Sequence, residues 1–303
     1  MAFKFGLAHA PVTPFASGKV DTAAYARILD FHLRHGAPQL ALPTHAGESV
    51  SLTAGERMAL LEFAVDHVSG RAPIIANVSE AGTDLACTLA RHAAKAGAAA
   101  LMASVPYYWT PPQSMLVEHF TAIGEAGGLP LFVLNAPDEM NQVEVAPKSV
   151  VELLGRLPNF AGLIDCSLDW QYMIEVVTLA RSARPDFQFV SGTEYMISAA
   201  AVGATGMVSS VSSIAPGLVR ELYALCDAER FAEARPAQER AAILFRALRD
   251  HGASALKAAA RSMGRDCGKA RPPLPELGEA ATRALFLELS AAGVTTSEPR
   301  NWS

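Results

Sequence analysis

Residues 73–105, PIIANVSEAGTDLACTLARHAAKAGAAALMASV, contain the unit from which the fold can be read. The apolar run Pro73–Val78 is followed by a helical pattern over Thr83–Ala96 and by a second apolar run over Ala99–Val105. Short runs that are apolar at successive positions are typical of strands buried on both faces of a parallel sheet. This stretch therefore predicts a strand–helix–strand unit of such a sheet.

The same alternation extends along most of the chain. Eight apolar runs predict strands: Leu7–Val12, Gln39–Pro43, Pro73–Val78, Ala99–Val105, Pro130–Leu134, Ala161–Ile164, Phe187–Val190 and Gly206–Val211. Helical patterns separate them. Eight strands, each followed by a helix, predict a (β/α)8 barrel, or TIM barrel. The alternative is an open doubly wound sheet, but no G-x-G-x-x-G fingerprint follows the first strand.

The predicted barrel does not use the whole chain. We assign residues 1–214 to the barrel and the Ala- and Leu-rich residues 215–294 to a C-terminal helical appendix. Helices are predicted there over Pro216–Asp227, Phe231–Gly252, Ser254–Met263 and Glu276–Ala292. Residues 295–303 are predicted to be a frayed tail.

Composition limits the possible functions. The 303 residues are 50% hydrophobic and 18% charged, with a net charge of −5, which indicates a large core. Neither the basic surface of a nucleic-acid-binding protein nor the basic clusters that favour anionic lipid are present. The four cysteines form no C-x-x-C pair, and we see no signal-peptide pattern and no long uncharged apolar stretch. We expect a cytoplasmic protein with reduced thiols.

Five motifs in order, most of them at predicted strand ends, resemble those of the dihydrodipicolinate synthase / N-acetylneuraminate lyase family. They are Pro11-Val-Thr-Pro-Phe15, Thr44-His-Ala-Gly-Glu-Ser49, Val105-Pro-Tyr-Tyr108, Ser191-Gly-Thr-Glu194, and Leu256-Lys-Ala-Ala-Ala260 followed by Arg271-Pro-Pro-Leu274. The resemblance covers nearly the whole chain. It implies a TIM barrel, a small-molecule substrate and a homodimer or homotetramer, and we expect no separate cofactor.

The family's usual chemistry is a Schiff-base aldol reaction. The resemblance implies a lysine at the end of strand six, which condenses with pyruvate or another 2-oxo acid. Within Gly162–Asp165 we align Asp165 with that lysine, and a carboxylate cannot form an imine. None of the six lysines is predicted at the carboxyl end of a strand: Lys4, Lys19, Lys95, Lys148, Lys257 and Lys269. We therefore predict that the Schiff-base mechanism is absent.

Other family positions also depart from the pattern. The family's proton relay joins two tyrosines through a threonine, but Ala46 replaces that threonine, with His45 before it, and Leu134 replaces one tyrosine. Only Tyr108 matches the relay. Glu139 falls where the synthases place an arginine that binds a substrate carboxylate. For these reasons we do not expect dihydrodipicolinate synthesis.

The candidate catalytic residues are Asp165 as a base and Tyr108 or His45 as a proton donor. Eight further residues are predicted to contact substrate: Ala46, Tyr107, Leu134, Asn135, Glu139, Gly192, Glu194 and Val208. Structural roles are the alternatives for several of them. Asp165 could be a hydrogen-bonded remnant, Asn135 a partner of loop backbone, and Glu194 a brace of its turn.

Three functional hypotheses follow. The first is a lyase or hydro-lyase that acts on a small oxo or hydroxy acid without a lysine imine. The second is a non-catalytic barrel that binds a metabolite or a partner. The third is a metal-assisted aldolase that uses Asp165, Glu139 and His45, since carboxylate and imidazole ligands suit Mg²⁺ or Mn²⁺.

Overall fold

A computed structural model describes residues 3–249 and 251–302 of the chain. Eight parallel strands form a closed barrel: β1 (Leu7–His9), β2 (Gln39–Leu42), β3 (Ile74–Asn77), β4 (Ala100–Ser104), β5 (Leu131–Asn135), β6 (Phe160–Asp165), β7 (Gln188–Ser191) and β8 (Gly206–Ser209). Each strand pairs with its neighbours in sequence, and β1 pairs with both β8 and β2, which closes the ring. The predicted TIM barrel is confirmed, and each predicted apolar run overlaps one strand.

A helix follows each barrel strand, as predicted. These helices are α1 (Thr22–Arg34), α2 (Ala54–Val68), α3 (Thr83–Ala96), α4 (Gln113–Gly127), α5 (Pro147–Arg156), α6 (Trp170–Ala183), α7 (Met196–Ala201) and α8 (Pro216–Asp227). Thr53 and Glu56 form the capping box that begins α2: each side chain accepts a hydrogen bond from the other residue's backbone N–H. Outside the barrel, Phe15–Ala16 and Lys19–Val20 form a small antiparallel hairpin that we did not predict.

The C-terminal part adds four helices. They are α9 (Phe231–Arg249), α10 (Gly252–Ser262), α11 (Glu279–Ala291) and α12 (Val294–Ser297). α8, which we predicted as the first helix of the appendix, follows β8 and packs on α7 and α9. It therefore continues the strand–helix alternation of the barrel, and the domain boundary after residue 214 stays a prediction.

The tail that we predicted to be frayed from residue 295 makes a specific contact with the barrel helices at Glu298. Glu298 is buried, and its carboxylate accepts hydrogen bonds from the backbone N–H groups of Gly217 (2.9 Å) and Leu218 (2.7 Å). These groups lie in the first turn of α8, where backbone N–H groups have no partner within the helix and a negative charge is favoured. Glu298 therefore caps α8 and ties this part of the tail to the helix.

Among the helices of residues 3–249 and 251–302, none combines the length and the apolar character needed to cross a bilayer. All four cysteines are free.

Two imidazoles face each other between β1 and α1. His9 and His32 are fully buried, and their Nδ1 atoms lie 3.0 Å apart. One Nδ1 must donate its hydrogen and the other Nδ1 must accept it. Protonation of the accepting Nδ1 would bring two N–H groups together, and they would repel each other. Burial lowers the pKa of His9 to about 3 and lowers the pKa of His32 well below its usual value, and the nearby charges of Arg220 and Arg265 act in the same direction.

We predict that this histidine pair makes the protein less stable in acid. Because the folded-state pKa values are lowered, the unfolded chain binds more protons below pH about 6.5, so the free energy of unfolding should fall from there toward pH 3. The slope should approach about 1.4 kcal/mol per pH unit for each histidine. Urea unfolding of wild type and His32→Gln between pH 7.5 and 5 measures this slope. The variant His251→Gln, at an exposed histidine, is the control. An unchanged slope in His32→Gln would refute this prediction.

Candidate functional site

The carboxyl ends of the strands open into a cavity of about 500 Å³, at the end of the barrel where TIM-barrel sites lie. Six of the eleven predicted site residues line it: His45, Ala46, Leu134, Glu139, Gly192 and Val208. The other five do not: Asp165, Tyr107, Tyr108, Asn135 and Glu194. Further residues at the strand ends, outside that list of eleven, also line the cavity: Ala10, Thr44, Asn77, Met102, Ile164, Cys166 and Ser210.

The end of β6 presents a hydrocarbon side chain to this cavity. Ile164 and Cys166 line the wall, whereas Asp165 between them does not. Side chains alternate in direction along a strand, so a residue and its neighbour face opposite sides. Asp165, the candidate base, therefore lies outside the cavity lining, and Ile164 occupies the position where β6 meets the cavity.

Asp165 is held behind the cavity wall by two hydrogen bonds. Asn135 Nδ2 donates to Oδ1 at 2.8 Å, and Ser167 Oγ donates to Oδ2 at 2.9 Å. Asn135 Oδ1 in turn accepts from the backbone N–H of Val145 at 3.0 Å. Burial raises the pKa of Asp165, although both hydrogen bonds oppose that shift. These contacts join β5, β6 and the segment before α5.

We predict that Asp165→Asn leaves ligand binding unchanged. The amide has nearly the same size and can keep hydrogen bonds to Asn135 and Ser167. A raised folded-state pKa means that the ionised carboxylate costs stability at neutral pH, so the substitution should be neutral or stabilising, by about 1 kcal/mol at most. Urea unfolding at pH 7.5 and a ligand-induced thermal shift measure the two effects. Loss of ligand binding in a folded variant would restore Asp165 as a functional group.

The tyrosine pair lies outside this cavity. The Tyr107 hydroxyl donates to Glu80 Oε2 at 2.7 Å, and Glu80 also pairs with Arg57. Tyr108 has φ of 75° and is 78% exposed, with its ring edge-to-face against Trp109, which is 57% exposed. The prediction that Tyr108 donates a proton in this cavity has no support from the geometry of a single subunit.

Glu194 and Gly192 shape the loops after β7 and β8. The buried Glu194 carboxylate accepts hydrogen bonds from Ser209 Oγ (2.7 Å) and from the backbone N–H of Val211 (2.9 Å), and burial raises its pKa. Gly192 is required because a Cβ there would lie 2.2 Å from Cys166 Sγ. Burial, reinforced by nearby carboxylates, raises the pKa of the Cys166 thiol well above its usual value, which makes this thiol a poor nucleophile.

All six lysines lie within the described residues, and none of them lines the cavity. The most buried is Lys257 on α10, whose Nζ lies 2.5 Å from Glu48 Oε1 and 4.3 Å from the centre of the Phe15 ring. The backbone N–H of Arg271 donates to the other oxygen of Glu48 at 2.8 Å. This buried ion pair ties the C-terminal helices to the loop that carries His45 and Ala46.

The three donors of the metal hypothesis do not converge. Glu139 and His45 line the cavity, whereas Asp165 lies behind its wall. Within residues 3–249 and 251–302, no group of three or more His, Cys, Asp or Glu side chains is placed to hold a metal ion. The metal-assisted alternative therefore loses its proposed ligand set.

Sequence reasoning missed the part of the wall that comes from the C-terminal helices. Phe245, Leu248 and Arg249 on α9, and Gly252, Ala253 and Leu256 at the start of α10, close one side of the cavity. Their apolar periodicity indicates that these helices pack on something. It does not say which end of the barrel they cover.

A closed barrel with a cavity at the carboxyl ends of its strands is the architecture of (β/α)8-barrel enzymes. Residues 4–292 match the sequence profile of the dihydrodipicolinate synthetase family, and the chain belongs to that family of aldolase-type lyases.

Individual relatives are similar over most of their length. A 4-hydroxy-tetrahydrodipicolinate synthase of Persephonella marina is 32% identical over 78% of this chain and 80% of its own. One from Roseobacter denitrificans is 32% identical over 90% of this chain and 93% of its own. The crystal structure of dihydrodipicolinate synthase from Thermotoga maritima superposes with a TM-score of 0.91 at 28% identity, covering 97% of this chain and all of that one.

Proposed function

We propose that this protein is a lyase or hydro-lyase that acts on a small oxo or hydroxy acid without forming a lysine imine. The observation that carries the proposal is Ile164, a hydrocarbon side chain at the point where β6 enters the cavity. An imine requires a primary amine, and the six lysines lie elsewhere. Ala46 and Leu134 line the same cavity and supply no hydroxyl for a proton relay.

In this proposal, side chains that line the cavity carry out the proton transfer. We assign it to His45, because imidazole is the side chain best suited to exchange protons near neutral pH. His45 is exposed in the loop after β2, and its Nε2 lies beside Gly252 at the start of α10. Glu139 lines the same cavity and is the second candidate to carry a proton.

A second candidate function is binding of a metabolite without turnover. It is favoured by the apolar side chains of Leu134, Ile164 and Val208, which supply no reactive atom to the barrel end of the cavity. The two functions differ in one measurement. A lyase that works by enolisation or elimination exchanges a substrate C–H proton with solvent or releases product, whereas a binding protein only shows a ligand-induced shift.

The test is a nuclear magnetic resonance screen of oxo and hydroxy acids in deuterated water. We expect deuterium incorporation or cleavage with wild type and a loss of 10²- to 10⁴-fold in His45→Gln, the usual range for a positioned proton-transfer group. The exposed His251→Gln is the matched control. Thermal stabilisation by a ligand with no exchange and no product would instead favour the binding function.

We infer that dihydrodipicolinate synthesis, the reaction named for several relatives, is not the reaction of this chain. Support comes from Ile164 in the cavity and from Glu139, a carboxylate in the wall that would repel a dicarboxylic substrate. An assay for 4-hydroxy-tetrahydrodipicolinate synthase activity should show no product above the blank.

We propose that the chain forms a homodimer or homotetramer through the surface around Tyr108 and Trp109. Leu85 and Met115, in the first turns of α3 and α4, are also exposed, at 59% and 55%, and interfaces favour aromatic and methionine side chains. Light scattering at micromolar concentration should give a multiple of 32.0 kDa, and Trp109→Asp should shift it toward the monomer. A monomeric wild type would contradict this proposal.

We place the protein in the cytoplasm. Support comes from its four free cysteines, since a reducing compartment keeps such thiols unpaired.

A further inference from the structure

We infer that the substrate is a monocarboxylic oxo or hydroxy acid with a branched aliphatic or aromatic group. Its apolar group lies inside the barrel and its carboxylate lies at the cavity mouth. The oxo- or hydroxy-acid part of this inference rests on the proposed function, whereas the apolar group and the orientation rest on the cavity wall.

The strand side chains at the barrel end of the cavity are mostly hydrocarbon, and the polar ones there, Thr44 and Asn77, carry no charge. Leu134 on β5, Ile164 on β6 and Val208 on β8 meet there, with Met102 of β4. A carboxylate placed among these side chains would lose its hydration without gaining a charged donor. A hydrocarbon group placed there gains, because each buried methylene tightens binding by roughly fourfold.

The charged groups lie on the loops and helices around the mouth. Arg249 on α9 is the one arginine or lysine in the described part of the cavity wall, and its side chain is exposed. A guanidinium binds a carboxylate with two parallel hydrogen bonds. We therefore place the carboxylate beside Arg249, outside the apolar region.

Two acidic residues limit the substrate to a single carboxylate. Asp138 and Glu139, in the loop after β5, line the same cavity and are exposed. With Arg249 they give the wall one positive and two negative charges, so a second substrate carboxylate would meet repulsion. The size of the cavity also favours a substrate larger than pyruvate, because pyruvate would leave most of its volume of about 500 Å³ unfilled.

Isothermal titration of the whole protein with three acids tests the inference. The probes are pyruvate, 4-methyl-2-oxopentanoate and 2-oxoglutarate. The branched acid has three more carbon atoms than pyruvate, so we expect it to bind roughly 50-fold more tightly. We expect 2-oxoglutarate to bind more weakly than the branched acid.

Two pairs of variants test the orientation. Ile164→Ala should weaken the branched acid at least fourfold and leave pyruvate nearly unchanged, whereas Ile174→Ala on the outer face of α6 should change neither. Arg249→Gln should weaken both monocarboxylic acids about tenfold or more. Arg283→Gln, an exposed arginine of α11, is its control.

The outcomes separate this inference from the proposed function. Equal dissociation constants for pyruvate and 4-methyl-2-oxopentanoate, or no binding of the branched acid at millimolar concentration, would overturn the inference. Unchanged binding in Arg249→Gln would overturn the orientation. An imine trapped by borohydride with either acid would overturn the proposed function and leave the affinity ratio standing.

Discussion

Replacing Ile164 with lysine should allow the protein to form a reducible imine with pyruvate. The new side chain would enter the cavity from the end of β6, among Leu134 and Val208. Apolar surroundings disfavour an ammonium and lower the pKa of a lysine, so the neutral, nucleophilic amine should be accessible near neutral pH. Intact-mass spectrometry after treatment with pyruvate and borohydride should show one adduct per chain.

The neighbouring position supplies a matched control for this substitution. Asp165 lies one residue further along β6 and faces away from the cavity, where Asn135 and Ser167 hold it. Asp165→Lys should therefore give no stoichiometric adduct in a folded protein. An adduct in Asp165→Lys and none in Ile164→Lys would contradict the orientation of β6 described above.

Turnover by Ile164→Lys should nevertheless stay slow. With Ala46 and Leu134 in the wall, the relay hydroxyls are missing, and a positioned proton-transfer group is worth about 10²- to 10⁴-fold in rate. In a coupled assay of aldol cleavage, the turnover number of this variant should thus be far below that of a lyase with a complete relay. Rapid turnover from this single change would show that the rest of the site is more complete than its residues indicate.

The largest loss of stability is expected for Glu48→Gln. Lys257 is 2% exposed and its Nζ lies 2.5 Å from Glu48 Oε1, so the substitution leaves a buried ammonium without its counter-ion. Removing one partner of a buried ion pair costs about 3–5 kcal/mol of unfolding free energy. In a chain of this size that corresponds to a drop in Tm of roughly 5–8 °C. Urea unfolding and calorimetry measure both quantities.

Two comparisons make the Glu48 result specific. Glu279→Gln breaks an exposed pair with Arg283 and should cost less than about 1 kcal/mol. The double variant Glu48→Gln, Lys257→Met removes both charges and should be more stable than Glu48→Gln alone. A single variant within 1 kcal/mol of wild type would show that the pair does not hold the C-terminal helices to the barrel.

The fold was predictable because its signal is repeated. Each strand is a short apolar run, such as Ile74–Asn77, and each is followed by an amphipathic helix that often ends at a glycine, as α3 does at Gly97. An error of one or two residues at any boundary leaves eight strand–helix units intact. The tail was not predictable, because the contact of Glu298 with α8 joins residues about 80 positions apart.

The site was harder to predict because one residue of register decides which side chain faces the cavity. A shift from Ile164 to Asp165 exchanges a hydrocarbon for a carboxylate and reverses the face of the strand. His45, Ala46 and Leu134 do line the cavity, because motif spacing locates strand ends well. Arg249 was missed because its position depends on how α9 crosses the barrel mouth, which periodicity does not encode.

We propose that this member of the dihydrodipicolinate synthetase family has no lysine placed to form an imine in its cavity. The most direct test is intact-mass spectrometry of the wild-type protein after incubation with pyruvate and borohydride. We predict an unchanged mass, because none of the six lysines lines the cavity and Lys257 is paired with Glu48. A stoichiometric reduced adduct on any of those lysines would contradict this account.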